Sequence, residues 1–111
     1  MIFITAKFTV LPEFADQWPE ISAEFSEATR REEGCMWFEW ARNTRNPNEY
    51  FVVEAFRDQD AGVAHVQSDH FKKATEDLPA YLAETPGVIN TTLNQNEWSV
   101  LGEMTVPSRQ E

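Results

Sequence analysis

Cys35-Met36-Trp37-Phe38-Glu39-Trp40-Ala41-Arg42 and Tyr50-Phe51-Val52-Val53-Glu54-Ala55-Phe56-Arg57, separated by a loop containing Asn46-Pro47-Asn48, decide the fold of this chain. Both runs are short and apolar or aromatic, and the Asn-Pro-Asn cluster spells a turn, so together they predict a β-hairpin. In the first run Met36, Phe38 and Trp40 fall on one side, and Cys35, Trp37 and Glu39 on the other. The second run is apolar on both faces except at Glu54, which asks for cover on both sides of the sheet. The chain's own helices can cover one face. A second copy of the chain is the expected cover for the other, which predicts a homodimer.

Upstream, Ile2, Ile4, Ala6, Phe8 and Val10 alternate with more polar residues, a strand that ends at Leu11-Pro12. Phe14, Trp18, Ile21, Phe25 and Ala28 then recur at steps of three and four, a helix stripe with Glu20, Glu24, Glu27 and Arg31 on the wet side. Pro19 fits this helix if the regular turns begin near Asp16, because a proline in the first turn has no N–H to lose. Gly34 reads as its left-handed cap. Downstream of the hairpin, Asp58 caps a helix running to about Val66, and Ser68 caps another carrying Phe71, Ala74 and Leu78. Val88 to Met104 reads as a last extended segment. The order β-α-β-β-α-β is that of a ferredoxin-like α+β fold with an antiparallel sheet. Residues 1–104 form the expected domain and 105–111 a flexible tail.

The 111 residues amount to one domain. An aromatic content of 13% argues against disorder, and 19 acidic against 9 basic residues give a formal charge of −10 that repels nucleic acid and anionic membrane surfaces. The single cysteine, Cys35, excludes an internal disulfide framework and a cysteine-based zinc site, and reads as a small buried hydrophobe. No basic leader precedes an apolar run, and no run approaches the roughly 18 residues of a membrane span, so a soluble cytoplasmic protein is expected.

No phosphate loop, nucleophile elbow or His-Glu-x-x-His helix is present in the sequence. Three polar residues stand in apolar company. Glu54 reads equally as a structural ion-pair partner or a catalytic base. His65, between Ala64 and Val66, reads as a packed core histidine or as a base. His70 follows five positions later, about 140° around a continuous helix, a poor spacing for a two-histidine metal site, so no metal is expected. Ser68 lies between the two, and a helix break there would re-aim His70. Trp37 and Trp40 read as core residues or as a platform for an aromatic ring.

Glu32-Glu33-Gly34-Cys35 joining helix to aromatic strand, Val53-Glu54-Ala55-Phe56 closing the next strand, and Ala64-His65-Val66-Gln67-Ser68-Asp69-His70-Phe71 together resemble the antibiotic biosynthesis monooxygenase domain, notably its quinol-monooxygenase-like branch. The pattern is matched at Glu33, Gly34, Cys35, Glu54, Phe56, His65, Ser68, His70 and Phe71, and the likeness runs from Ile2 to about Leu101. Phe56 stands where tryptophan is commoner. The resemblance implies a dimeric α+β barrel with a pocket between sheet and helices, and chemistry without metal, flavin or heme, in which an electron-rich quinol or aromatic polyketide reduces O₂ itself. It implies His65 as the base, with Glu54 orienting it, His70 as a hydrogen-bonding group at the pocket mouth, and Trp37, Trp40 and Phe71 as ring-stacking residues. Relatives also include isomerases and heme degraders. Thr75 stands where a heme degrader carries its axial histidine, and Thr5, Ala6 and Lys7 occupy the region of that branch's first-strand asparagine, so heme degradation is disfavoured. An isomerase or dehydratase acting on a small carbonyl compound, and a non-catalytic ligand-binding dimer, are the alternative functions.

Overall fold

A computed structural model describes residues 1–109. The elements are β1 (Ile2–Thr9), a 3₁₀ turn (Pro12–Gln17), α1 (Trp18–Ile21), α2 (Ala23–Arg30), β2 (Cys35–Arg42), β3 (Glu49–Phe56), α3 (Gln59–Val66), α4 (Asp69–Asp77), a 3₁₀ turn (Leu78–Tyr81), β4 (Gly87–Thr92) and a 3₁₀ turn (Gly102–Met104). The four strands form one antiparallel sheet in the order β2-β3-β1-β4, and the helices pack on one face. This is the α+β, ferredoxin-like arrangement that the alternation of strands and helices implies. Among the described residues, no helix is long and apolar enough to cross a membrane.

The first helical region departs from its apolar stripe in an instructive way. Its most buried residues are Trp18, Ser22, Ser26 and Thr29, while Ile21, Phe25 and Ala28 flank them at half burial. The hydroxyls can be buried because each is already satisfied: Ser22 Oγ donates to Trp18 O at 2.8 Å, Ser26 Oγ to Ser22 O at 2.9 Å and Thr29 Oγ1 to Phe25 O at 2.9 Å. Such back-bonding bends helices, and the break between α1 and α2 falls at Ser22. Pro19 sits in the first turn of α1, where it removes no hydrogen bond.

Gly34 is not a left-handed cap, since no glycine among the described residues has positive φ. Its requirement is space: a Cβ on Gly34 would lie 2.2 Å from Ala61 Cβ on α3. The start of β2 and α3 meet there backbone to side chain.

Two further sequence readings need correction. A bulge between Cys35 and Trp37 pairs Cys35 with Phe56 and Trp37 with Ala55. Cys35 therefore packs on the helix side against the clusters of Phe56 and of Phe38, and Met36 is exposed. Among the described residues the last extended segment pairs only over Gly87–Thr92, with Thr92 opposite Ile2, the first residue of β1. Beyond it Leu93 N donates to Met1 O, Trp98 lies on Trp37, and Val100, Leu101, Met104 and Val106 are exposed. The tail expected over 105–111 extends past the described residues at 110 and 111.

On the helix side Ile2, Ala6, Val52, Phe38 and Phe56 form the core. On the other face, the register places Phe3, Thr5 and Lys7 beside Phe51, Val53 and Ala55, with Trp37 and Ile89 at the flanks.

Candidate active site

Asp58 and Ser68 set the site's two helices. Asp58 accepts from Ala61 N at 2.9 Å, and α3 then carries His65 on its sheet-facing side, 3% exposed. The helix stops at Gln67. Ser68 Oγ accepts from Phe71 N and donates to His65 O at 2.6 Å, and α4 starts in a new direction. The break turns His70 back toward His65, so the spacing of five does not separate them. Their ring centroids are 6.1 Å apart.

What joins them is Glu32, in the turn after α2. Its Oε2 accepts from His65 Nδ1 at 2.7 Å and from His70 Nε2 at 2.5 Å. An Nδ1–H held by Glu32 leaves Nε2 of His65 as the imidazole's lone-pair nitrogen, the orientation that a carboxylate imposes on a general-base histidine. That Nε2 faces Glu54 Oε1 across 3.8 Å. Glu54 is 8% exposed, projects from mid-β3, and its Oε1 finds no hydrogen-bond partner among the described residues.

Burial, reinforced by the nearby Glu32 carboxylate, pushes the Glu54 carboxyl up to about 7. Burial also holds the His65 imidazole below its ordinary value, against the opposing pull of Glu32. Both shifts favour the neutral form, so a protonated carboxyl faces an unprotonated imidazole nitrogen. The Cys35 thiol, raised to about 11 by burial and then by Glu32 and Glu54, stays protonated and inert.

Aromatic rings wall the site. Phe56 lies 4.7 Å from the His65 ring, Phe71 5.1 Å edge-on and Phe25 5.9 Å. An apolar cleft of about 170 Å³ opens beside His65 between α3 and the β1–β4 edge, lined by Ile2, Ile4, Gly62, Val63, Val66 and Asn90 among others. A second groove of about 200 Å³ reaches His70 from between α2 and α4.

Of the residues singled out in the sequence, Glu54, His65, His70 and Phe71 converge here. Trp37 and Trp40 do not. Trp37 lies on the opposite face of the sheet, stacked on Trp98 at 5.4 Å, and Trp40 is packed among Phe8, Trp18 and Phe38 with its Nε1 donating to Ser26 Oγ at 2.8 Å. Neither can stack on a ring held at His65. Glu54 also differs from the orienting role: at 3.8 Å it opposes His65, and Glu32 does the orienting. Glu33 has a 93% exposed side chain, 3.8 Å from Arg57, so the acidic residue that matters in Glu32-Glu33-Gly34 is the first. The only signal for Glu32 is its place at the head of that motif, two residues before a glycine that must pack against α3. Glu32, His65 and His70 also place one potential ligand atom each within 4.8 Å of one another.

The chain has relatives. An isomerase of (4S)-4-hydroxy-5-phosphonooxypentane-2,3-dione from Klebsiella pneumoniae is 24% identical over 78 residues, covering 70% of this chain and 80% of that protein. A protein of Methanosarcina mazei superposes with a TM-score of 0.76 at 27% identity, over 81% of this chain and 89% of the other. A crystal structure of an antibiotic biosynthesis monooxygenase gives a TM-score of 0.76 at 21% identity, over 86% of this chain and all of that one, a likeness of fold. The profile of the family described as antibiotic biosynthesis monooxygenase matches residues 1–77, which hold β1 to α4 and Glu32, Glu54, His65, His70 and Phe71. The chain belongs to the antibiotic biosynthesis monooxygenase family.

Proposed function

We propose that this protein is a cofactor-independent monooxygenase that oxidises a single-ring quinol with O₂, using His65 Nε2 as the base. One observation carries the reading: a buried, unpartnered carboxyl oxygen of Glu54 faces an oriented imidazole nitrogen across 3.8 Å beside an apolar cleft. A phenolic hydroxyl bridging that gap would meet both groups at hydrogen-bond distance. His65 takes the phenolic proton, Glu54 holds the same oxygen, and Phe71 and Phe56 keep water from the anion. The phenolate is electron-rich enough to reduce O₂ directly. In the balanced reaction the quinol loses two hydrogens and gains one oxygen atom as a ring hydroxyl, the other oxygen leaves as water, and the product is a hydroxyquinone.

Size and charge choose the substrate class. An apolar cavity of about 150 Å³ accommodates one benzene ring, so a cleft of about 170 Å³ suits one ring and not a fused polyketide. Phosphate recognition calls for Arg, Lys or a cluster of backbone donors, and neither Arg nor Lys is among the described residues lining this cleft. This argues against the phosphorylated dione of the Klebsiella relative, although an isomerase would use the same acid–base pair. We also read the open face around Phe3, Phe51 and Val53 as the seat of a second copy, giving a homodimer by a two-fold axis.

Oxygen uptake with a panel of single-ring dihydroquinones, run beside an isomerisation assay on a hydroxydione, tests the proposal. Saturable oxygen uptake with one hydroxyquinone formed per O₂ is expected. Isomerisation without oxygen uptake would overturn it, and so would tight ligand binding with neither reaction.

A further inference from the structure

Glu32, which orients His65, and the two histidines that it joins have the composition of a metal site. Glu32 Oε2, His65 Nδ1 and His70 Nε2 lie within 4.8 Å of one another, and Glu32 Oε2 is 2.7 Å and 2.5 Å from the two nitrogens. An ion with tetrahedral bonds of about 2.0–2.2 Å holds its ligands roughly 3.3–3.6 Å apart, so these two contacts must open by roughly 0.6–1.1 Å, a movement of side chains and not of helices. Two imidazoles and one carboxylate on one side of the ion suit zinc, or another first-row divalent metal, and leave coordination positions open.

A second, independent feature points the same way. A metal-bound histidine characteristically donates its other ring N–H to a carboxylate, and Glu54 Oε1, buried and unpartnered, stands 3.8 Å from His65 Nε2. The site also has an entrance. His70 is 24% exposed at its side chain and lines the groove between α2 and α4, so an ion can arrive without unfolding α3. The helix break at Ser68 removes the objection that a spacing of five raises.

We propose that Glu32, His65 and His70 bind one divalent transition-metal ion, and that the ion turns the enzyme off. Metal on His65 Nδ1 moves the ring proton to Nε2, which then donates to Glu54 and can no longer accept a proton from a phenol. Binding requires this change of tautomer and the matching one at His70, whose Nε2 proton moves to Nδ1, with no redox step. The inhibitory half rests on the catalytic reading above; the binding half does not.

The test is titration of the full, chelator-stripped protein with Co²⁺ by visible absorption and with Zn²⁺ by calorimetry. One ion per chain is expected, with zinc displacing cobalt. His70→Ala and Glu32→Gln should each weaken binding by at least about 10-fold, and Glu54→Gln by about 10–100-fold. His70 is the more exposed ligand, so His70→Ala, checked by circular dichroism, keeps the test valid if Glu32→Gln fails to fold. Absence of saturable 1:1 binding, or binding indifferent to His70→Ala, would overturn the site. Full turnover with zinc bound would overturn the inhibition. A protein that binds zinc through these residues yet never oxidises a quinol would leave the site standing and overturn the catalytic reading instead.

Discussion

The two ends of the helix-covered sheet face are equally buried and built on different chemistry. At one end Val10, Trp18 and Tyr50 form a cluster with Phe8 and Trp40 against it. Tyr50 Oη donates to Ala15 O at 2.7 Å and Trp40 Nε1 to Ser26 Oγ at 2.8 Å, leaving Trp18 Nε1 as a neutral donor with no partner among the described residues. At the other end Phe56 packs with Ile2 and Ala61, but the space above them holds Glu54, His65 and Glu32. An unpartnered neutral N–H costs about 1–3 kcal/mol, whereas a buried carboxylate costs more and escapes by taking up a proton. The first end can carry its orphan as a small loss of stability. The second converts its orphan into a group that titrates near neutrality, which is a property a catalyst can use and a core cannot.

This division can be broken by mutation. Trp18 is fully buried, and Trp18→Ala should cost about 3–5 kcal/mol of stability while leaving turnover per folded molecule unchanged. Denaturant melts and oxygen uptake on one preparation check this, and a parallel loss of turnover would show that the two ends are not separable. Gly34→Ala should have a smaller effect on stability, about 1–3 kcal/mol, because its new Cβ meets Ala61 at 2.2 Å and α3 must shift. Here turnover should fall as well, since α3 carries His65. A variant that loses stability with full turnover would contradict the packing of α3 as the site's support.

The smallest effect is in the pH dependence. Glu54 is raised from 4.5 to about 7, so the stability it contributes is complete below 4.5 and lost as pH rises through about 7. His65 is lowered from 6.5, so its contribution is complete above 6.5 and lost as pH falls through the lowered value. The two slopes oppose each other in the native protein. Glu54→Gln should expose the histidine's slope, with Tm rising from about pH 5 to 7 relative to the parent, and His65→Asn the carboxyl's, with Tm falling. Glu32 and His70 are present in both variants, so they do not account for a difference in sign. Identical profiles for parent and variants would show that the pair is not coupled to folding.

The fold was largely legible because its signals are local. Alternation from Ile2, the aromatic run Cys35–Arg42 and the Asp58 and Ser68 caps each depend on neighbouring residues and agree with the elements found. Failures came where a distant residue decides. The last strand's pairing ends opposite Ile2, some 90 positions away, and Gly34 is needed for Ala61, 27 positions away. The site divides in the same way. Glu54, His65, His70 and Phe71 stood out as polar residues in apolar company or as motif positions, but Glu32 is surface-like in sequence and acquires its role only when α2, α3 and α4 meet. Trp37 and Trp40 lie on opposite faces of β2, as their alternation says, and Trp40 is the core residue that one reading allowed. The stacking role that the resemblance implies fits neither, because their neighbours, Ser26 and Trp18 for one and Trp98 for the other, are distant in sequence.

The central claim is that His65 is the base, and His65→Ala with turnover and melting temperature measured on the same folded preparation tests it most directly. The account predicts a loss of turnover per folded molecule of about 10²–10⁴-fold at a temperature well below the variant's melt. A variant that melts earlier yet oxidises the quinol at nearly the parent rate would contradict it, and would leave His65 as a packed core histidine.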